Sequence, residues 1–295
     1  MLACGTLLLI VVGALVTSND AGLSVPDWPT TFGSLYRIPP MVGGVKFEHG
    51  HRMVAEFVGF LTIVLAIWTW RSERRSWMRK LSLIALGTVI AQGVLGGITV
   101  LFYLPPSVST AHATLAQTFF CLVVIMALAS GREWTQEPAM PVVERHRPSL
   151  RTLATLAVAS VYLQLILGAA FRHSGIKLLP HLISAVFVTF LLFWTVARVV
   201  TEYSAVPQLR RPARVLLALL VIQLALGFSA YLTRVEWGKD APQPMLNMVA
   251  ATVAHVAVGA ILLATTVVLA VQAYRHTSPQ AHAVMAHPAP TKVVA

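Results

Sequence analysis

Eight stretches of this chain stay apolar for close to the ~20 residues an α-helix needs to cross a hydrocarbon core, and that leaves few ways to fold. They cover roughly 2–18, 52–70, 81–103, 108–129, 151–171, 179–200, 213–233 and 246–274. An open sheet would leave backbone groups unsatisfied in lipid, and a barrel strand would alternate polar and apolar residues, which these runs do not. The expected class is therefore all-α: a polytopic membrane protein with eight transmembrane helices. Composition agrees, with 57% hydrophobic and 11% charged residues and a mean hydropathy of +0.74.

The net charge of +11 does not point to nucleic acid, because the basic residues lie between the spans rather than on one polar face. They report topology instead. Segment 71–80, "RSERRSWMRK", holds five Lys and Arg, 130–151 holds four, and 198–214 holds Arg198, Arg210, Arg211 and Arg214. The other four loops hold two each or none. The positive-inside rule puts both termini and the three basic loops in the cytoplasm of a cell inner membrane. The first run has no basic segment before it and seven more spans after it, so it reads as a retained helix rather than a signal peptide. Cys4 and Cys121 both fall inside spans, which implies no disulfide.

A repeat organises the chain. "QGVLGG", "QLILGA" and "QLALGF" in the third, fifth and seventh spans each set a Gln four residues before a Gly: Gln92 and Gly96, Gln164 and Gly168, Gln223 and Gly227. The first span keeps only the Gly, Gly13. Each even span carries a His near its outer end, namely His51, His112, His181 and His255, with a small residue four further on: Ala55, Ala116, Ala185 and Gly259. The expected architecture is two repeated four-helix bundles, 1–129 and 151–274, joined by a cytoplasmic linker over 130–150 and followed by a disordered cytoplasmic tail over 275–295.

Positions i and i+4 share a helix face, so each His shares its face with a residue that lets a flat group come close. One His in a span is most simply hydrogen-bonded to a neighbouring helix. Four at matched positions point further, to pairs of axial ligands for heme iron, His51 with His112 and His181 with His255. Zinc is the rival metal, but a structural zinc takes four close ligands and no third is evident here.

The halves differ. Glu48 stands three residues before His51, whereas Leu178 stands three before His181. A carboxylate beside a heme can move a proton or orient water. It can also cap the helix or pair with Arg52 at i+4. Glu56 lies on a different face from His51 and costs about 2.5–3.5 kcal/mol at a helix centre, less near an end. His49 reads as an outer-loop residue. Arg172, at the outer end of the fifth span, suits either a clamp on heme propionates or a snorkelling position at the interface. Gly96 and Gly97 suit a heme-facing groove or close helix packing.

The segments "GALVTSNDAGLSVPDWPTTFG", "EHGHRMVAEFVG", "QGVLGGITVLFYLPPSVSTAHATLAQTFF", "QLILGAAFRHSG" and "VAHVAVGAILLAT" resemble, in this order, the heme A synthase family. The resemblance implies an eight-helix enzyme that oxidises the C8 methyl of heme O to a formyl group by successive hydroxylations with water-derived oxygen. It implies His51 and His112 flanking the substrate heme, His181 and His255 ligating a heme B cofactor, and Glu48 as the essential acid. Its implied partners are heme O, a heme O synthase, cytochrome oxidase assembly factors and an electron acceptor the sequence does not name. One departure stands out: many members carry a cysteine pair in the first outer loop, where this chain has Val25 and Thr31.

Two other classes share the histidine pattern, a diheme b-type cytochrome exchanging electrons with quinol and a non-enzymatic heme carrier. The first does not require Glu48; the second would need a propionate-binding surface and exchangeable heme rather than a redox partner. The chain shows no phosphate loop and no Asp-rich diphosphate motif of a prenyltransferase.

Overall fold

The computed structural model describes residues 1–139, 141–238, 240, 242 and 244–279. Its long elements are all helical: α1 (Leu2–Ser18), α2 (Val45–Ser72), α3 (Ser76–Leu101), α4 (Pro106–Ala129), α6 (Leu150–Arg172), α7 (Leu179–Glu202), α8 (Pro207–Tyr231) and α9 (Leu246–His276). A one-turn helix, α5 (Arg132–Thr135), follows α4, and α8 runs on through a π-helical turn, Leu232–Glu236. Seven helices, α2 to α4 and α6 to α9, are long and apolar enough to cross a membrane. The first, at 17 residues, is apolar but shorter.

Proline sets several starts. Its ring pre-fixes φ for the first helical turn, where its missing N–H costs nothing, and it occupies that turn in α4, α7 and α8. Ser149 starts α6 by accepting from the Thr152 N–H. Buried hydroxyls inside the spans satisfy themselves against the carbonyl four residues back, as Thr6, Thr62 and Thr266 do.

α1 to α4 form a closed ring of neighbours, with α1 touching both α2 and α4, and α6 to α9 form another. Each ring has its own apolar core, around Val58, Phe119 and Val123 in one and Leu192, Leu216 and Leu263 in the other. A third, smaller cluster of Ile10, Phe120, Ala260 and Ala264 joins α1, α4 and α9 across the two rings. The outward faces are apolar and open, as lipid requires: Val186, Phe187 and Phe190 on α7 are each 65–69% exposed.

Residues 275–278 of the expected disordered tail are ordered. α9 runs to His276, and a two-residue strand, β2 (Thr277–Ser278), pairs in parallel with β1 (Val142–Val143) of the linker. Buried Glu144 accepts from the Thr277 hydroxyl and the Arg151 N–H, while the Arg151 side chain bonds the Thr277 carbonyl. These polar partners order the segment where apolar periodicity is missing. Residues 280–295 of the expected tail lie outside the described residues.

Candidate functional site

The four histidines share one local geometry. A Cβ placed on Gly13 of α1 would meet Cε1 of His51 at 3.0 Å, and the same construction pairs Gly96 with His112 at 3.2 Å, Gly168 with His181 at 2.9 Å and Gly227 with His255 at 3.0 Å. Each imidazole therefore brings its Cε1 edge against a bare stretch of the preceding long helix, a seat that alanine would fill.

The repeated glutamines serve the same rings. The Gln92 side-chain amide donates to the His112 carbonyl at 2.9 Å, and that of Gln164 donates to the His181 carbonyl at 3.0 Å. The Gln164 and Gln223 amides lie 3.4 Å from Nε2 of His181 and His255. Position 9, which matches these glutamines in the first helix, is leucine, so His51 has no such partner. Gly259 serves helix contact, since a Cβ there would meet the Gln223 amide at 3.0 Å.

Among the described residues, buried polar atoms without a partner gather at these rings: Nδ1 of His51, His112 and His255, and Oε1 of Gln92, Gln164 and Gln223. Native interiors rarely leave such atoms unpaired, so their clustering marks places where a further group binds. The His181 and His255 ring centroids are 6.4 Å apart. Two metal–nitrogen bonds of about 2 Å, with the ring half-widths beyond them, fill roughly that span. Among the described residues no group of three or more His, Cys, Asp or Glu could hold a metal ion. The donor set fits a heme held axially by two histidines and does not fit a four-ligand zinc.

The first ring of helices adds a covered mouth. α2 begins at Val45, well before the apolar window, so Glu48 and His51 do share a helical face. His49 is likewise helical rather than part of the loop, with Nδ1 3.3 Å from the Thr31 hydroxyl. Glu48 is only 4% exposed; one carboxylate oxygen accepts from the Val25 N–H at 2.8 Å and the other pairs with Arg52 at 2.8 Å. Arg52 also donates to the carbonyls of Asp27 at 2.8 Å, Thr30 at 2.9 Å and Val25 at 3.3 Å. The outer loop is thus tied down one residue from His51.

Asp27 folds that loop on itself by accepting from Thr30, Phe32 and Gly33. Slight burial pulls its carboxyl up, but these bonds outweigh it and hold the group below its ordinary value. The Trp28 indole occupies the space a Cβ on Gly97 would take, beside the His112 seat at Gly96. Gly96 thus seats a histidine and Gly97 the loop. Gly97→Ala is expected to unseat the indole and speed proteolytic cleavage of the outer loop several-fold at unchanged helix content; equal cleavage rates would exclude this contact as what holds the loop.

Arg172 does not snorkel. It reaches across to α1, donating to the Ala14 carbonyl at 3.1 Å and the Ser18 hydroxyl at 2.5 Å, and Ser18 in turn meets Thr252 of α9 at 2.9 Å. The guanidinium thereby links α6, which seats His181, to the residue after Gly13, which seats His51. Next to it, burial, Arg172 and His112 hold the His173 imidazole down at about 4, so it stays neutral at ordinary pH. Glu56 faces outward and joins neither site. The pairing of Glu48 with Arg52 was legible at i+4; sequence reasoning missed the bonds of Arg52 to the loop carbonyls, the seat of Trp28 on Gly97 and the glutamines, and the recurrence of Gln before Gly was the available signal for the last.

A family model described as cytochrome oxidase assembly protein matches residues 45–177. A heme A synthase of Shouchella clausii is 30% identical over 223 residues, covering 75% of this chain and 71% of its own length. One of Symbiobacterium thermophilum is 32% identical over 256 residues, covering 75% and 80%. One of Alkalihalophilus pseudofirmus is 32% identical over 139 residues, covering 45% and 46%.

Proposed function

The chain belongs to the heme A synthase family, and from that premise we propose that it oxidises the C8 methyl of heme O to a formyl group with oxygen taken from water. It is a multi-pass membrane oxidoreductase of heme A biosynthesis. In this reading α1 to α4 and α6 to α9 are two repeated halves of eight spans, with both termini cytoplasmic in the inner membrane and both heme sites toward the outer leaflet. The observation that carries it is the fourfold seating of histidine on glycine, combined in the first half with a tied-down loop and a buried acid beside His51.

His51 and His112 hold the substrate heme, and His181 and His255 hold a heme B. Bound heme B supplies one-electron redox chemistry. The protein supplies position and proton handling. The glycine seats fix the imidazole planes, and Gln92, Gln164 and Gln223 restrain their histidines. The loop carrying Trp28 excludes bulk water from the first site. Glu48, on the face of His51, takes the proton released when the methyl carbon, having lost a hydrogen and two electrons, gains oxygen from water, while Arg52 holds its carboxylate in place. Nε and Nη1 of Arg172, which make no protein hydrogen bond among the described residues, suit a propionate of heme B. A heme O synthase delivers the substrate, and cytochrome oxidase assembly receives the product.

The test is to express the chain in a heme B host, with and without a heme O synthase, and separate the extracted hemes by chromatography with mass detection. Heme A or its hydroxymethyl precursor is expected only with heme O supplied. Unaltered heme O beside correctly inserted protein would overturn the reading.

A further inference from the structure

Glu56 is an exposed carboxylate on a membrane-spanning helix, outside everything assigned so far. No ion pair or hydrogen bond of its side chain occurs among the described residues. Met53, Phe57 and Phe60 flank it, 44%, 57% and 61% exposed. It heads a stripe that continues at helical spacing through Phe60 and Val64 into an open groove lined by Val64, Ile67, Trp68, Arg71 and Ser72. Twelve residues separate Glu56 from Trp68, about 18 Å along the axis.

Alignment of His51 with His181 sets Glu56 against Val186, 69% exposed on α7. Packing of such a bundle therefore does not need a carboxylate here. Ionisable side chains inside a membrane are rare and mark functional positions. A ligand for this one must come from the bilayer, bring a polar head about 7.5 Å deeper along the helix than His51, and trail an apolar tail. A phospholipid fails, since its phosphate sits at the interface, too shallow, and would meet a carboxylate as like charge. A quinone succeeds: its carbonyl accepts from a protonated carboxyl, its quinol form donates to an ionised one, and its flat ring suits flanking aromatic side chains.

We propose that Glu56 heads a docking site for an isoprenoid quinone, which is the electron acceptor of the oxidation. The acceptor role rests on the synthase reading above; the docking site does not. In each round a methyl C–H bond breaks, a C–O bond forms from water, and two electrons and two protons reach the quinone as its two O–H groups. The first round turns R–CH3, water and quinone into R–CH2OH and quinol. The second gives R–CH(OH)2 and a second quinol, and loss of water leaves R–CHO. This balance needs no outer-loop thiols, in keeping with Val25 and Thr31 at those positions and with free cysteines on α1 and α4.

The test uses the full heme-loaded chain in quinone-free phosphatidylcholine nanodiscs, with decylubiquinone and menadione as probes. Reoxidation of the reduced heme by either probe is expected to saturate in wild type. It should be at least tenfold slower below saturation in Glu56→Val, with heme content and reduced spectrum unchanged, and intermediate in Glu56→Gln. A photoreactive azidoquinone should label the 53–60 segment in wild type and not in Glu56→Val. Equal rates in the variant, rates that never saturate, or label placed elsewhere would overturn the site. So would a wild-type oligomer that Glu56→Val turns monomeric at unchanged reoxidation, which would give the face to a second copy of the chain. Labelling and reoxidation need no heme A: saturable, Glu56-dependent reoxidation without heme A formation would sink the synthase reading and keep the site, whereas full heme A yield from Glu56→Val would do the reverse.

Discussion

His181→Ala is expected to strip the chain of its resident heme, abolishing the reduced absorption bands of that site while membrane insertion and helix content stay as in wild type. The size of the effect follows from the donor set. In the proposed site His181 and His255 supply the two iron-binding nitrogens, and among the described residues no third His, Cys, Asp or Glu stands by to replace one. The fold should tolerate the change, because His181 is only partly buried and, among the described residues, its ring nitrogens meet Gln164 alone, 3.4 Å from its amide and 3.2 Å from its carbonyl. Gly168→Ala provides a graded companion. Its new methyl carbon would stand 2.9 Å from Cε1, so the ring must turn, and the bands should shift or weaken rather than vanish. His51→Ala, on the other ring of helices, should leave the bands of the second site in place. Reduced-minus-oxidised spectra of the purified chains decide the matter. Unchanged bands in His181→Ala would remove that residue from the ligand set.

Periodicity and hydropathy made the helices legible, but not where they begin. The apolar window of α2 opens at residue 52 while its helix starts at Val45, because Lys46, Glu48, His49 and His51 depress hydropathy without breaking the helix. Of these, Glu48 also helps to hold the outer loop. α1 shows the converse: its window is apolar throughout, yet its 17 residues make it shorter than the other long helices. The histidines were visible because a repeat of type and spacing survives in one dimension. Their seats were not, since the pairing of Gly13 with His51 or Gly97 with Trp28 depends on which helices become neighbours and how far each is rotated. Arg172 was legible as a cation near an outer end, but its reach to Ala14 and Ser18 crosses between the rings, a contact no local pattern encodes.

Glu48→Gln should lower heme A formation by about 10² to 10⁴, the usual worth of a positioned proton acceptor, while substrate heme still binds. The geometry supplies a rival cause that must be separated from it. Glu48 is the charged partner of Arg52, whose other bonds hold the loop at Val25, Asp27 and Thr30. Removing one member of a buried pair typically costs about 3–5 kcal/mol, enough to free the loop and stop turnover with no proton involved. Glutamine limits that loss, since its carbonyl oxygen still accepts from the Val25 N–H or from Arg52, though not with full charge. Arg52→Gln then serves as the control. If Glu48 acts only through the loop, both variants should show equally fast loop cleavage, a raised KM for heme O and similar losses of activity. If the carboxylate takes the proton, Glu48→Gln should lose kcat at nearly unchanged KM and unchanged cleavage, Glu48→Asp should recover part of the rate, and Arg52→Gln should mainly raise KM. Turnover at the wild-type rate in Glu48→Gln would exclude both roles and leave the acid as a helix-start residue that happens to lie beside the heme.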